Sequence, residues 1–138
     1  ENLGAELVKE LRGWKFPITS SLTRKFLEGR FIKIRMGVAE LDLKLCTTRH
    51  ERAALSRSKP FASDDHTLRI STPEDLILFK LQYWRRQDEA DVERMLKLRS
   101  DLDIAYIERW LPRIEEDTSH PVGKRWKEIR SDSPGSVE

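Results

Sequence analysis

A chain of 138 residues with 26 Lys and Arg against 24 Asp and Glu has a formal net charge of +2, too small an excess to bind nucleic acid by charge alone. Its single cysteine, Cys46, excludes an intramolecular disulfide, and one thiol with three scattered histidines makes no zinc pattern, a usage that fits a reducing, cytoplasmic setting. No apolar run is long enough to cross a bilayer, and a chain of this length folds as one domain burying roughly two-thirds of its unfolded surface.

Leu3 to Leu11 places apolar residues at 3, 7, 8 and 11, a helical stripe that stops at Gly13. Trp14 to Ile18 reads as a short extended piece, with Pro17 marking an edge or a loop. Residues 20–28 predict a short helix capped by Ser20 or Ser21. The period then changes to two. Ile32, Ile34 and Met36 alternate with Lys33 and Arg35, and Leu41, Leu43 and Leu45 alternate with Glu40, Asp42 and Lys44. Gly37-Val38 between these runs suits a two-residue turn with glycine first. That turn sets Met36 opposite Ala39, Arg35 opposite Glu40, Ile34 opposite Leu41, Lys33 opposite Asp42 and Ile32 opposite Leu43. One face of the hairpin, Ile32, Ile34, Met36, Ala39, Leu41 and Leu43, is then apolar and the other charged. A helix is expected over about 49–58, ended by Pro60, and a short strand over 67–70. Helices follow over 73–85, 89–99, 104–115 and 122–129, and the polar stretch 131–138 reads as a flexible tail. The expected fold is mixed, α/β (α+β): an α/β part over 1–71 with an antiparallel hairpin, then a helical half over 72–130, within one domain.

Three groups of residues could carry chemistry. Thr72-Pro73-Glu74-Asp75-Leu76 is a helix start, with threonine as cap, proline at the first helical position and acids in the first turn. Lys80, Arg85, Asp88 and Asp91 follow beside an apolar stripe of Leu76, Ile77, Leu81 and Trp84. Lys80 is either a snorkelling surface residue or a cation aimed into a cleft. Asp88 and Asp91 either cap the next helix and pair with Arg85 or Arg86, or line a site. Asp42 lies on the charged hairpin face among Lys33, Arg35 and Lys44. A carboxylate on a rigid strand ringed by cations suits a metal ligand or a base near phosphate; a solvated face with cross-strand ion pairs has the same composition. Asp101-Leu102-Asp103 reads as a cap and Asp64-Asp65-His66 as a loop, while Trp110 and Trp126 are candidate exposed aromatics.

The run TPEDLILFKL at 72–81 continues as QYWRRQDEAD at 82–91, in pattern form S/T-P-E-D-L followed by K-L-x-x-x-R-x-x-D-x-x-D. It resembles the C-terminal motif of the minimal nucleotidyltransferase-fold family, which includes toxins of bacterial abortive-infection and toxin–antitoxin systems. LDIAYIERWL at 102–111 resembles that family's next helix, and VAELDLKL at 38–45 resembles the strand bearing its third active-site carboxylate. The likeness spans about residues 1–115. It implies a partial nucleotidyltransferase-fold sheet and transfer of a nucleoside monophosphate from a nucleoside triphosphate to an RNA or protein hydroxyl. It further implies magnesium as cofactor, and an antitoxin-like protein or a second copy as partner, in a bacterial cytoplasm. On this resemblance Asp42 is a catalytic carboxylate and magnesium ligand, and Lys80 is the catalytic lysine that contacts the triphosphate. Lys33, Lys44 and Arg85 would join Lys80 in binding nucleotide, with Asp88 and Asp91 lining the site.

The chain departs from that pattern at its front. The family places a Gly-Ser turn and a D-x-D strand ahead of the helix that begins here at residue 3, whereas the Gly-Ser of this chain is Gly135-Ser136 and no D-x-D precedes Asp42. Two of three metal-binding carboxylates are therefore absent. Activity is expected where an upstream segment supplies them, the chain opening at Glu1 rather than methionine. The alternative is an inactive remnant that serves as a protein interaction domain. A third reading, an RNA-binding module using Lys33, Arg35 and Lys44, is disfavoured by the near-neutral charge.

Overall fold

The structure is a computed structural model that describes residues 3–132. Its elements run α1 (Leu3–Gly13), α2 (Ser20–Leu27), β1 (Ile32–Met36), β2 (Ala39–Leu43), α3 (Arg49–Arg57), β3 (Lys59–Ser63), β4 (His66–Ile70), α4 (Pro73–Tyr83), α5 (Asp88–Leu98), α6 (Ile104–Thr118) and α7 (Val122–Asp132). The fold is mixed α+β, with helices and two antiparallel two-stranded sheets among the described residues. The chain divides into two compact units, Glu1–Thr47 and Thr48–Glu138. Of the expected tail, Ser131 and Asp132 belong to α7, and 133–138 lie outside the described residues.

The first unit packs α1 and α2 with the β1–β2 hairpin around Val8, Leu11, Ile18, Phe26, Ile32 and Ile34. The hairpin has the register that its turn dictates, Ile32 opposite Leu43 through Met36 opposite Ala39. Gly37 supplies the positive φ of +58° that the first turn position needs. Its apolar face is covered on one half only: Ile32 and Ile34 are buried, while Met36 and Leu41 near the turn are 42% and 39% exposed. The cap of α2 is Thr19, not Ser20 or Ser21. Its backbone is still extended, so its hydroxyl can accept from the Leu22 amide at 3.2 Å.

The second unit is built on α4, whose buried residues Ile77, Leu78 and Leu81 meet Val92 of α5, Ile107, Leu111 and Ile114 of α6, and Val122, Trp126 and Ile129 of α7. Full burial of each such aliphatic side chain contributes about 1.5–3 kcal/mol. The stripe is rotated from the one expected: Leu78 is buried and Leu76 is 41% exposed. Positions 77, 78 and 81 share one helical face, which Leu76 leaves by a quarter-turn. Trp126, expected at the surface, is buried at 3% exposure, with its indole N–H directed at Glu108 Oε1, 3.4 Å away; Trp110 is half-buried against the same core.

Two further features shape this unit. Thr48 and Glu51 form a reciprocal capping box that starts α3. The stretch 59–63, to which the sequence assigned no element, is strand β3, paired with β4 through a turn at Asp64-Asp65 in a register of Lys59 opposite Ile70, Phe61 opposite Leu68 and Ser63 opposite His66. His66, grouped with that loop in the sequence, is the first residue of β4.

Candidate functional site

The charged residues around Lys80 meet because of how α4 ends. Trp84 follows the last helical residue and takes up the left-handed conformation, φ 48° and ψ 49°, with its amide donating to the Lys80 carbonyl at 2.9 Å. For a bulky side chain that conformation costs about 1–2 kcal/mol. Arg125 of α7 holds it in place. The guanidinium donates to the Leu81 and Gln82 carbonyls at 2.6 and 3.2 Å, satisfying helix-end acceptors, and lies 5.1 Å from the centre of the Trp84 ring. The reversal leaves Arg85, Arg86 and Gln87 exposed at the turn and opens α5 at Asp88.

Asp88 and Asp91 then reach back to α4. Lys80 Nζ donates to Asp88 Oδ1 at 3.2 Å and to Asp91 Oδ2 at 2.6 Å, and the second oxygen of Asp88 accepts from the Arg85 amide. The side chains of Lys80 and Asp88 are 21% and 10% exposed, and that of Asp91 is 39% exposed. Burial disfavours the Lys80 cation, but the hydrogen bonds to Asp91 and Asp88 outweigh it and raise the pKa, so the side chain stays charged. The same bond from Lys80 lowers the pKa of Asp91. The structure therefore brings Lys80, Arg85, Asp88 and Asp91 together at one junction. Lys80 is an ion-pair partner of both aspartates. The group can hold an anion if Asp91, the more exposed of its two carboxylates, gives way and Lys80 turns to the newcomer beside Arg85.

Asp42, Lys33 and Lys44 lie in the first unit. Lys33 Nζ contacts Glu40 Oε2 at 2.8 Å and Asp42 Oδ1 at 3.6 Å, and Arg35 Nε contacts Glu40 at 2.7 Å. Lys44 Nζ donates to the Leu45 carbonyl and to Thr47 Oγ1, both at 3.1 Å. Magnesium takes six oxygen ligands in near-octahedral order and needs at least one or two anionic ones from the protein. Among the described residues no three histidine, cysteine or acidic side chains converge as a metal-binding group. The carboxylate neighbouring Asp42 on the same strand face, Glu40, is engaged by Lys33 and Arg35. The described residues around Asp42 do not fit a two-magnesium centre.

A further constellation in the second unit joins residues that lie far apart in the sequence. Asp75, expected as a first-turn acid, is fully buried. It accepts from Tyr106 Oη at 2.6 Å, Thr72 Oγ1 at 2.7 Å and Arg57 Nε at 3.2 Å, and lies 3.2 Å from His50 Nε2. A carboxylate only accepts, so His50 Nε2 donates to it; the buried Nδ1 of His50 finds no hydrogen-bond partner among the described residues. Burial pushes the Asp75 pKa up, yet the bonds from His50, Tyr106 and Thr72 overcome it and hold the group down at about 2. Burial, joined by the bond to Asp75, pushes the Tyr106 phenol up. With both carboxylate oxygens doubly engaged, this hub joins α3, α4 and α6. The sequence signal was spacing: residue 75 precedes buried Leu78 by three, so it shares the inward face. Comparison with family models, with curated proteins and with solved structures finds no match for the chain.

Proposed function

We propose that this chain is a nucleotidyltransferase-like protein of the bacterial cytoplasm whose α4–α5 junction binds a nucleoside triphosphate. The observation that supports this reading is the convergence of Lys80, Arg85, Asp88 and Asp91, residues quoted for the family resemblance and spread over twelve positions of sequence, at one partly exposed junction. A lysine held by carboxylates is a cation kept in place, and phosphate recognition depends on positioned cations more than on covalent chemistry. Asp88 is nearly buried and fixes Lys80 against α5; Asp91 is the exchangeable partner that a phosphate oxygen would replace. Arg85 and Arg86, exposed on the turn, extend the positive field toward the remaining phosphates.

Transfer of a nucleoside monophosphate to an RNA or protein hydroxyl needs carboxylates beyond Asp42. It is therefore proposed for a form of the protein that also carries a Gly-Ser turn and a D-x-D strand. The engagement of Asp42 by Lys33 favours a second reading, a protein interaction domain that binds without transferring.

Calorimetric titration with ATP, GTP, CTP and UTP, each with magnesium, tests the first reading. Saturable binding of at least one is expected. Lys80→Met should weaken it about tenfold, the loss of one charge-assisted hydrogen bond, and Asp91→Asn should strengthen it by freeing Lys80 from a competing carboxylate. Absence of heat with all four nucleotides, or equal affinity in the Lys80→Met protein, would remove the proposal.

A further inference from the structure

The β3–β4 hairpin stands apart in its burial. All ten of its strand residues are exposed. Phe61, Leu68 and Ile70 are 54%, 56% and 48% exposed, and the register places them on one face, Phe61 opposite Leu68 and Ile70 opposite Lys59. A lone two-stranded hairpin is marginal in water and gains stability when further strands or an apolar cover are added. Arg69 ties the hairpin to the rest of its unit, its guanidinium donating to the Ser58 hydroxyl and carbonyl at the base.

The two outer edges of this hairpin are not equivalent. In a two-residue hairpin the pair flanking the turn exchanges its backbone hydrogen bonds, and every second pair after it does the same. Ser63 with His66, Phe61 with Leu68 and Lys59 with Ile70 therefore bond inward, and Ala62, Thr67, Pro60 and Arg69 present their backbone groups outward. Pro60 has no amide hydrogen, so the outer edge of β3 is blunted. The outer edge of β4 keeps both donors, Thr67 and Arg69, with both carbonyls.

We infer that β4 pairs with β4 of a second copy of this chain, antiparallel about a two-fold axis at Leu68, to form a four-stranded sheet. Centred there, the edge is self-complementary: Thr67 and Arg69 of one copy exchange backbone hydrogen bonds with Arg69 and Thr67 of the other, while Leu68 meets its own symmetry mate in the close, non-hydrogen-bonded position. Ile70 falls beside His66 of the second copy. The two apolar patches then join into one face of six large side chains. Charge favours the same arrangement. The hairpin is acidic at its tip, Asp64 and Asp65, and basic toward its base, Lys59 and Arg69. An antiparallel pairing sets each acidic tip beside a basic base, whereas a parallel one would stack like charges. The inference is independent of nucleotide binding, since Lys80, Arg85, Asp88 and Asp91 take no part in it.

Light scattering across a concentration series, on the wild-type chain and on Leu68→Lys, tests this. The wild type is expected to approach twice the chain mass as concentration rises. Leu68→Lys, which sets two ammonium groups against each other at an exposed position, is expected to stay monomeric with an unchanged circular dichroism spectrum. Mixing Leu68→Lys with Leu68→Glu should restore the dimer, which separates lost pairing from lost folding. In a Cys46→Ser background, Leu68→Cys should oxidise to a covalent dimer, because the two Cα atoms would stand about 4.5 Å apart, within disulfide reach. A chain monomeric at every concentration would give this face to a different protein and overturn the inference. So would a dimer indifferent to Leu68→Lys, or one that Leu68→Cys fails to cross-link.

Discussion

Asp75 takes the side chains of Thr72, Tyr106, Arg57 and His50 onto its two oxygens while fully buried. A buried carboxylate so engaged must stay ionised, and its pKa of about 2 carries a stability consequence. The unfolded chain protonates this group near pH 4, above the folded value, so between the two the unfolded state binds more protons and stability rises with pH. The contribution is complete above about pH 4 and is lost as the pH falls through 2, amounting to about 2 kcal/mol. Urea denaturation followed at successive pH values should show this decline. Asp75→Asn should lower stability at neutral pH by about 3 kcal/mol, by removing the charge that Arg57 faces and turning one accepting oxygen into a donor against buried donors, and should flatten the acid limb. A variant as stable as the wild type at pH 7 would contradict the hub. The partners of Asp75 lie 3, 18, 25 and 31 residues away in sequence. A local reading of Thr72-Pro73-Glu74-Asp75 therefore explains each residue as a helix start and never reaches the hub. Lys80, Asp88 and Asp91 were more legible, because a helix, a short turn and a helix leave few places for them to go.

Among the elements, those with strong local rules could be read ahead of the structure. The β1–β2 register followed from alternation and from Gly37, and the start of α4 from Thr72 and Pro73. Strand β3 could not be read, since Lys59-Pro60-Phe61-Ala62-Ser63 has little alternation and proline ordinarily ends a strand. It forms because Pro60 falls at an outward position, where no amide hydrogen is needed by β4. The rotated stripe of α4 has a similar cause: 76 and 78 are both apolar and flank Ile77, and only the packing of α5, α6 and α7 chooses between them. Helix α3 depends on its first turn, where Thr48 and Glu51 satisfy each other's backbone amides. Thr48→Ala should cost about 1 kcal/mol, seen as a lower urea midpoint at unchanged slope. Because α3 also carries His50 and Arg57 to Asp75, a loss well above that value would mean that cap and hub are coupled.

At the scale of the whole molecule, the two units divide the candidate residues between them. Asp42, Lys33 and Lys44 belong to Glu1–Thr47, and Lys80, Arg85, Asp88 and Asp91 to Thr48–Glu138. A net charge of +2 over 138 residues supplies no general attraction for polyanions, so any nucleotide affinity must come from local arrangement. No helix among the described residues is long and apolar enough to cross a membrane. Amide chemical-shift mapping of the isotopically labelled chain during a nucleotide titration tests most directly the proposal that the α4–α5 junction receives the phosphates of a nucleoside triphosphate. Saturable shifts are expected at Lys80 and from Trp84 through Asp91, with the β3–β4 hairpin unaffected. Shifts confined to other parts of the chain, or none at any nucleotide concentration, would contradict it.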